Sequence, residues 1–290
     1  MTTVVATYYW TPDPGSKFAA PYSPDDVRRL QRMVAKNTTV PHQFAVITDR
    51  PELFCGDPDV RAIPIDWTTH VRGTCYVRLM TFHPKGREMI GDKVLQLDLD
   101  TLIVGNIDHL LNREEELVLW RQPTRLPWHD LDAEGRRAYV IENSPDLLPD
   151  LGSVDWRNAS IAYRDNHGNK RYVINQLRTH YNTSLLLHRC GTLPKIWRGF
   201  FTIPRNPDGT PEAEFKDDQW YLSKGYGMHC PYFDGARDGV YRIGREDTPG
   251  SGVMGELPAN ACIVTFPGDK GKWTLPEVRE ANPWIAEYGV

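Results

Sequence analysis

Two carboxylates, Asp98 and Asp100, follow an apolar run over residues 94–97 that predicts a buried strand. In an extended chain, side chains two residues apart point to the same side, so we expect both carboxylates to face one site. Carboxylate oxygens are hard ligands that suit Mg²⁺ or Mn²⁺, and these ions keep positions open for water and phosphate oxygens. The pattern therefore predicts a Mn²⁺ or Mg²⁺ site on Asp98 and Asp100. The alternative is a strand end that enters a solvated turn, where Asp is common.

The residues around this D-x-D pair carry a family resemblance. Leu-Asp-Leu-Asp-Thr-Leu-Ile-Val-Gly-Asn-Ile-Asp-His-Leu resembles the D-x-D segment of nucleotide-sugar-dependent glycosyltransferases of the GT-A fold. It is closest to their retaining branch, which is glycogenin-like and lipopolysaccharide galactosyltransferase-like, and to related bacterial and phage enzymes. The resemblance implies a hexosyl- or pentosyltransferase. In that family a Mn²⁺ or Mg²⁺ ion holds the diphosphate of a UDP-sugar or another nucleoside diphosphate sugar.

Two earlier segments resemble donor-binding parts of the same family. Residues 3–9 are β-branched and aromatic and predict a first strand, whose end the resemblance places at the uridine. This implies donor contacts for Thr7, Tyr8 and Tyr9. Tyr-Val-Arg-Leu at residues 76–79 is similar to the aromatic-x-Arg-Leu segment that precedes the metal motif, and this implies that Arg78 faces the donor. A solvated arginine on a helix is the alternative.

Two later segments resemble the sugar-binding parts of the family. Tyr-Asn-Thr-Ser at residues 181–184 is similar to its aromatic-Asn-small-small strand, which implies sugar contacts for Asn182 and Ser184. An Asp-Gln pair at a helix start matches the family as well. The match places Asp218 on the donor sugar and Gln219 near the anomeric carbon. The alternative role for an acid at this position is capping of the helix N-terminus.

Residues 261–273 look like the family's terminal strand followed by its Gly-x-x-Lys-Pro-Trp segment, which implies diphosphate contacts for Gly268, Lys270 and Lys272. The sequence departs from the family twice. Thr265 stands where the family has a metal-binding histidine, and the Pro between Lys272 and Trp is missing. We therefore expect the ion to be held by two carboxylates, phosphate oxygens and water.

The chain length and the order of its elements predict the fold class. With 290 residues, 40% apolar and 25% charged, the chain can bury a full core. Strand and helix signals alternate over residues 1–65, and Ser23-Pro24 is a strong helix start. We predict a single α/β domain over residues 1–290, GT-A-like (Rossmann-like), with a mixed, mainly parallel sheet flanked by helices.

The sequence has neither the pattern of a membrane span or secretion signal nor a cysteine motif typical of metal binding. It has no apolar run of membrane-spanning length and no basic segment before a long apolar N-terminal stretch. We therefore expect no membrane span and a cytoplasmic location, in the host cytoplasm if the gene is a phage gene.

The five cysteines are widely spread without a C-x-x-C pair, so we expect reduced thiols. His188, Cys190, His229 and Cys230 do not have the spacing of a zinc motif.

The residues between the D-x-D segment and Asn182 resemble the family least. We predict an acceptor-side insertion at about residues 121–181. Residues 157–189 hold six basic residues against one acid, although the whole chain has a net charge of −4. Basic residues mixed with aromatic ones are typical of a groove that tracks phosphates and stacks bases. This predicts acceptor contacts for Trp156, Lys170, Arg171 and Tyr172, and a solvated loop is the alternative.

These observations predict a metal-dependent glycosyltransferase that moves a sugar from a UDP-sugar to an acceptor hydroxyl. The acceptor that the basic segment favours is a hydroxylated pyrimidine base in phage DNA, which would be flipped out or met single-stranded. A glycan or protein hydroxyl is the alternative acceptor. Two alternatives of another class are a metal-dependent nuclease or phosphatase and a non-catalytic nucleic-acid-binding module. The oligomeric state and the sugar are not predicted.

Overall fold

The computed structural model describes most of the chain in nine ranges: residues 1–11, 22–65, 75–121, 162–164, 170–172, 181–201, 230–244, 253–266 and 273–288. It also describes Asp132, Glu134, Ala138, Asp218, Gln219, Tyr221 and Leu222. The prediction of a single domain and that of an insertion at about 121–181 stay predictions, since most of that segment lies outside the described residues.

A seven-stranded sheet forms the centre of the described structure. Its strands are β1 (Thr3–Tyr9), β2 (Gln43–Thr48), β3 (Arg61–Pro64), β4 (Lys93–Leu97), β6 (Leu117–Arg121), β9 (Tyr181–Arg189) and β10 (Tyr232–Phe233). Their order across the sheet is β10-β6-β9-β4-β1-β2-β3. Four of the six neighbouring pairs are parallel, and both pairs that involve β9 are antiparallel. The predicted mixed, mainly parallel sheet is therefore confirmed.

Two smaller sheets lie beside the central one. The first contains β5 (Thr101–Ile103), β11 (Val240–Arg242) and β12 (Ile263–Thr265), with β12 in the middle. The second pairs β7 (Ala162–Arg164) with β8 (Lys170–Tyr172). The chain therefore leaves the central sheet directly after β4, because β5 pairs with β12 instead.

Helices connect the strands and cover the sheet. The α-helices are α1 (Pro24–Asn37), α2 (Gly86–Met89), α3 (Asp108–Leu111), α4 (Pro194–Phe201), α5 (Gly235–Asp238) and α6 (Pro276–Ala281). The 3₁₀-helices are η1 (Pro51–Phe54), η2 (Cys75–Phe82) and η3 (Pro283–Tyr288). Asp26 accepts a hydrogen bond from the Ser23 N–H over 2.7 Å, so α1 begins where the Ser-Pro signal predicts.

Alternating side chains divide the core into two layers, because successive residues of a strand face opposite sides of the sheet. Val5 and Leu95 pack on the side of α1, in one buried cluster with Val27 and Leu30. Val4 and Val94 pack on the other side, against η2 and α4. Helices therefore cover both faces, as predicted. Within the described residues, no helix is long and apolar enough to cross a membrane.

Candidate functional site

The predicted donor residues gather at one edge of the central sheet. The carboxyl ends of the parallel strands β1 and β4 lie at this edge, and the antiparallel strand β9 begins there. In open α/β sheets, ligands bind beyond the carboxyl ends of the strands. The edge brings Tyr8, Asp98 and Asn182 together from segments that are far apart in sequence.

Arg78 of η2 lies at the centre of this edge. Its Nη2 donates to Asp98 Oδ2 over 2.7 Å, and its Nη1 donates to Thr183 Oγ1 over 3.2 Å. Nη1 also lies 3.6 Å from Asp218 Oδ1. The side chains of Arg78, Asp98 and Asp218 are 11%, 17% and 0% exposed. One nearly buried guanidinium thus joins two predicted site carboxylates and a third residue, Thr183, that the resemblance did not single out.

Tyr8 holds the backbone of Arg78 in place. Its buried phenol donates to the Arg78 carbonyl oxygen over 3.0 Å, and Thr81 Oγ1 donates to the same oxygen over 3.2 Å. Burial raises the pKa of the Tyr8 phenol well above its ordinary value, so Tyr8 stays a hydrogen-bond donor. Tyr9 packs edge-on against Phe54 at a centroid distance of 5.9 Å. The aromatic end of β1 therefore supports Arg78 on one side of the sheet and η1 on the other.

The charges at this edge do not balance around Arg78. Burial lowers the pKa of the Arg78 guanidinium, but the carboxylates of Asp98 and Asp218 outweigh this effect, and the pKa lies well above its ordinary value. Burial raises the pKa of the Asp98 carboxyl, and the contact with Arg78 opposes part of that rise. Arg78 is therefore permanently charged in a site of acidic character.

The two carboxylates of the D-x-D segment lie on a turn. β4 ends at Leu97, Leu99 and Asp100 form the turn, and the next strand begins at Thr101 in another sheet. The chain is not extended between Asp98 and Asp100, so strand alternation does not apply to this pair. Their relative position is set by the turn.

Tyr22 belongs to none of the sequence motifs, but the charges of this turn affect the pKa of its phenol. Its pKa is raised by burial and then by the negative charges of Asp100, Asp98 and Asp26, with Arg78 acting in the opposite direction. Tyr22 is half-buried and packs against the core on the α1 side. The negative potential of both carboxylates therefore extends to one point near the start of α1, and no sequence motif marked that point.

Four threonine and serine hydroxyls near this edge are buried. Thr7 Oγ1, Ser184 Oγ, Thr101 Oγ1 and Thr265 Oγ1 have no hydrogen-bond partner among the described residues. Thr101 and Thr265 lie directly opposite each other in the β5–β12 ladder, next to Asp100. Buried polar groups are normally satisfied, so these hydroxyls are candidates for contact with a ligand or with water.

The oxygen atoms at the turn fit a hard divalent cation. Asp98 and Asp100 supply carboxylates, and their negative charges act on the pKa of the nearby Tyr22 phenol in the direction opposite to Arg78. A threonine such as Thr265 adds at most a neutral oxygen. Within the described ranges no three His, Cys, Asp or Glu side chains form a metal-binding group. A Mg²⁺ or Mn²⁺ ion would therefore complete its coordination with water and ligand oxygens, as these ions commonly do.

The predicted sugar-binding residues differ in exposure. Asn182 is 4% exposed, and its Oδ1 accepts a hydrogen bond from the Ser184 N–H over 2.8 Å. This bond shapes the start of β9 and occupies the carboxamide oxygen. Asp218 has no exposed surface, whereas Gln219 is half-buried, and both are helical. A sugar therefore reaches Asp218 only if the atoms that cover this side chain move.

Seven of the predicted residues lie wholly or partly outside the described residues. Gly268, Lys270, Lys272 and Trp156 lie outside the described residues. For Lys170, Arg171 and Tyr172 the structure describes the backbone, which forms β8 of the two-stranded sheet.

Arg189 was counted in the basic segment, and the structure separates it from the site. It pairs with Lys93 at the start of β4, the opposite end from Asp98, and it forms an ion pair with Glu114. Arg189 therefore lies at the far end of β9 from Leu185, which pairs with Leu97 beside the D-x-D turn.

No protein-family model and no curated protein matches the sequence. Among solved structures, the chain is similar to the galactosyltransferase LgtC in complex with donor and acceptor sugar analogues, with 13% identity, a TM-score of 0.46 and coverage of 99% of this chain and 96% of that chain. It is similar to the bifunctional glycosyltransferase WbbM, with 11% identity, a TM-score of 0.49 and coverage of 99% and 51%. It is also similar to the glycosyltransferase GlyE of Streptococcus pneumoniae TIGR4, with 11% identity, a TM-score of 0.47 and coverage of 99% and 60%.

Proposed function

We propose that this chain is a GT-A-like glycosyltransferase that moves a sugar from a UDP-sugar, or another nucleoside diphosphate sugar, to an acceptor hydroxyl. The observation that carries the proposal is the meeting of residues around Arg78. Tyr8, Asp98 and Asp218 contact or approach Arg78, although the four residues lie far apart in the sequence. Each of them belongs to a segment that resembles a donor-binding segment of the family.

A Mn²⁺ or Mg²⁺ ion is part of the proposal. Asp98 and Asp100 would hold it, since they offer the hard oxygen ligands and the excess negative charge that such an ion requires. When bound, the ion would supply Lewis-acid stabilisation to the departing diphosphate. The neutral hydroxyl of Thr265 in place of an imidazole favours weak binding of the free ion and tighter binding together with the nucleotide.

The residues of the chain have distinct roles in the proposed reaction. Arg78 would fix Asp98 and Asp218 relative to each other and would place one positive charge between these two carboxylates. Lys270 and Lys272 would add positive charge at the leaving group, where negative charge grows in the transition state. Asp218 would bind the donor sugar and Gln219 would lie near the anomeric carbon.

The stereochemical course belongs to the proposal as well. We infer retention at the anomeric carbon from the resemblance of the sequence to the retaining branch alone. None of the assigned roles makes a side chain the general base. The leaving phosphate would take the proton from the acceptor hydroxyl, and the new glycosidic bond would form as the bond to the diphosphate breaks.

The acceptor that we favour is a hydroxylated pyrimidine base in DNA, and a glycan or protein hydroxyl is the second candidate. The support is the composition of residues 157–189, which keep five basic residues against one acid after Arg189 is set aside. A neutral glycan gains nothing from such a surplus, whereas a nucleic acid needs it near its phosphates. The location inside a host cell follows only if this acceptor is correct.

A metal-dependent nuclease or phosphatase fits the described residues less well. Such enzymes hold their metals with several acidic or histidine ligands. In the ranges that the structure describes, no group of three His, Cys, Asp or Glu residues comes together. The proposed transferase needs only two carboxylates, because the diphosphate itself supplies oxygens.

Calorimetry of nucleotide binding tests the proposal. UDP should bind the wild-type protein with Mn²⁺ present and much more weakly without it, and Asp100→Asn should abolish the difference. Asp108→Asn is a matched control, because Asp108 bonds Thr38 and Thr39 and lies away from the turn. Failure of UDP, with or without Mn²⁺, to bind while DNA alone binds would replace the transferase by a nucleic-acid-binding module.

A further inference from the structure

The turn that carries Asp98 and Asp100 contacts an arginine of α1 that belongs to none of the motifs. Arg29 Nη2 donates to the Leu99 carbonyl oxygen over 3.3 Å, and Nη1 pairs with Asp26 Oδ1 over 2.6 Å. The Arg29 side chain is 17% exposed, so these contacts are largely shielded from water. The Leu99 carbonyl belongs to the peptide that leads into Asp100. Its orientation therefore sets the direction in which Asp100 leaves the turn.

Besides the ion pair between Arg78 and the Asp98 side chain, two other contacts hold the backbone of the same turn, and both join backbone atoms. The Asp98 N–H donates to the Ser184 carbonyl oxygen over 2.9 Å, and the Phe266 N–H donates to the Asp100 carbonyl oxygen over 2.8 Å. These bonds do not depend on the identity of a side chain. Of the three contacts, the one from Arg29 is the one that a substitution can remove.

Arg29 also contacts the C-terminal part of the chain. Its Cζ lies 4.5 Å from the ring centroid of Trp273, which is a favourable distance for a cation–π contact. Trp273 is 4% exposed and packs edge-on against Phe266 at a centroid distance of 5.3 Å. Trp273 directly follows Lys272 in the sequence. One guanidinium therefore touches both the D-x-D turn and the residue next to the predicted phosphate-binding lysines.

We infer that Arg29 is a positioning residue of the diphosphate site, which couples the turn of Asp98 and Asp100 to Trp273. It acts through the Leu99 peptide and the Trp273 ring and has no contact of its own with the donor or the ion. The inference rests on the proposed function. Residues that orient metal ligands typically change metal affinity or activity about 10–100-fold when they are replaced.

The neighbouring Arg28 is a matched control. It forms ion pairs with Asp25 over 2.8 Å and with Asp57 over 2.9 Å, and it donates to the Leu53 carbonyl oxygen over 3.0 Å. Its Cζ lies 5.9 Å from the ring centroid of Phe54. Arg28 thus makes the same kinds of contact as Arg29, from the same helix, to η1 instead of the turn.

Hydrogen–deuterium exchange of the ligand-free variants tests the coupling without reference to any activity. Arg29→Met should exchange faster than wild type in peptides that cover residues 98–104 and Trp273, while Arg28→Met should leave both peptides unchanged. Unchanged exchange in Arg29→Met overturns the coupling, whatever the protein catalyses. Should Arg29→Met fail to fold, Arg29→Lys replaces it, since lysine keeps the charge but cannot reach both Asp26 and Leu99 with a planar fork.

Calorimetry with UDP and Mn²⁺ tests the consequence for the site. We expect Arg29→Met to raise the Kd of UDP in the presence of Mn²⁺ about tenfold, Arg29→Lys to raise it less, and Arg28→Met to leave it unchanged. A wild-type Kd in Arg29→Met overturns the inference while the proposed function stands. Absence of UDP binding by the wild-type protein itself is a different result, which overturns the proposed function and the role of Arg29 in the diphosphate site together.

Discussion

Arg78 and Asp98 form an ion pair in which Nη2 and Oδ2 are 2.7 Å apart and the two side chains are only 11% and 17% exposed. The pair joins η2 to the end of β4, and the same guanidinium lies 3.6 Å from the fully buried Asp218. Removal of one charge from a buried ion pair is costly, because the charge that remains is buried without hydration and without its partner. The pair therefore matters both to folding and to the geometry of the proposed donor site.

Arg78→Met should destabilise the fold by about 3–5 kcal/mol, because Asp98 then loses the guanidinium that it contacts over 2.7 Å in a nearly buried position. Urea unfolding at neutral pH measures the change. Arg87→Met is the control, since Arg87 also pairs with an aspartate but is 72% exposed, and we expect it to cost at most about 1 kcal/mol. Equal losses in the two variants would show that the Arg78 pair is not effectively buried.

The sequence predicted the elements of this site better than their arrangement. The strand at Thr3–Tyr9 has the bounds that its β-branched and aromatic residues predict, and the first helix begins at Pro24, where the Ser-Pro signal predicts its start. Such signals are local, so they can be recognised without knowledge of the partner strand. The antiparallel direction of β9 and the pairing of β5 with β12 depend on contacts between distant segments, and no local signal specifies them.

The same limit applies to individual side chains. Motifs selected Arg78 and Asp98, which are 20 residues apart in sequence and do meet. Arg29 was missed because its contact with Leu99 spans 70 residues, and a charged residue on an amphipathic helix looks like any solvated arginine. Thr183 was missed because its neighbour Asn182 has the richer hydrogen-bonding chemistry, whereas the structure directs the threonine hydroxyl to Arg78.

Asp218→Asn should lower kcat for transfer or donor hydrolysis by a factor on the order of 10²–10³ with little change in UDP affinity. The reason is that Asp218 is proposed to contact the sugar and not the nucleotide. Steady-state kinetics and UDP calorimetry on the same preparation separate the two effects. Asp57→Asn, which removes a carboxylate paired with Arg28, serves as the control. A parallel loss of UDP binding would assign Asp218 to the diphosphate instead.

His188 should make the fold sensitive to acid. It is fully buried in β9, with its ring 4.2 Å from Phe82, and burial lowers its pKa from 6.5 to about 4. The unfolded chain therefore binds this proton at a higher pH than the folded chain does. The contribution of the neutral His188 to the free energy of unfolding is fully present above pH 6.5. It is lost as the pH falls from 6.5 toward 4, by about 3 kcal/mol in total.

Urea unfolding between pH 7 and pH 4 measures this loss, and the variant His188→Leu isolates it. Leucine keeps the apolar contact with Phe82 and cannot take up a proton, so the variant should lose less stability than wild type across the same range. His42→Leu is the control, because His42 is only partly buried beside β2. Identical pH slopes for wild type and His188→Leu would assign the acid sensitivity to other groups.

The last prediction concerns the acceptor. Lys170 and Arg171 lie on β8, which in sequence falls between the D-x-D segment and Asn182. Both belong to residues 157–189, where basic residues outnumber acidic ones. Each phosphate contact releases condensed counterions, so binding to DNA weakens as the salt concentration rises. The logarithm of the binding constant falls linearly with the logarithm of the salt concentration, and this salt slope is proportional to the number of phosphate contacts. Reversing both charges should weaken binding of a DNA acceptor and reduce the salt slope by about two, while hydrolysis of the donor continues at the wild-type rate.

Fluorescence anisotropy with a DNA acceptor at several salt concentrations measures both quantities. The control is a double reversal at Arg32 and Lys36, two exposed residues of α1, because it changes the net charge of the protein by the same amount. If the two double variants lose affinity equally, the effect is one of net charge and β8 has no special role. If neither loses affinity at low salt, the basic stretch is a solvated loop, and the acceptor is a glycan or protein hydroxyl.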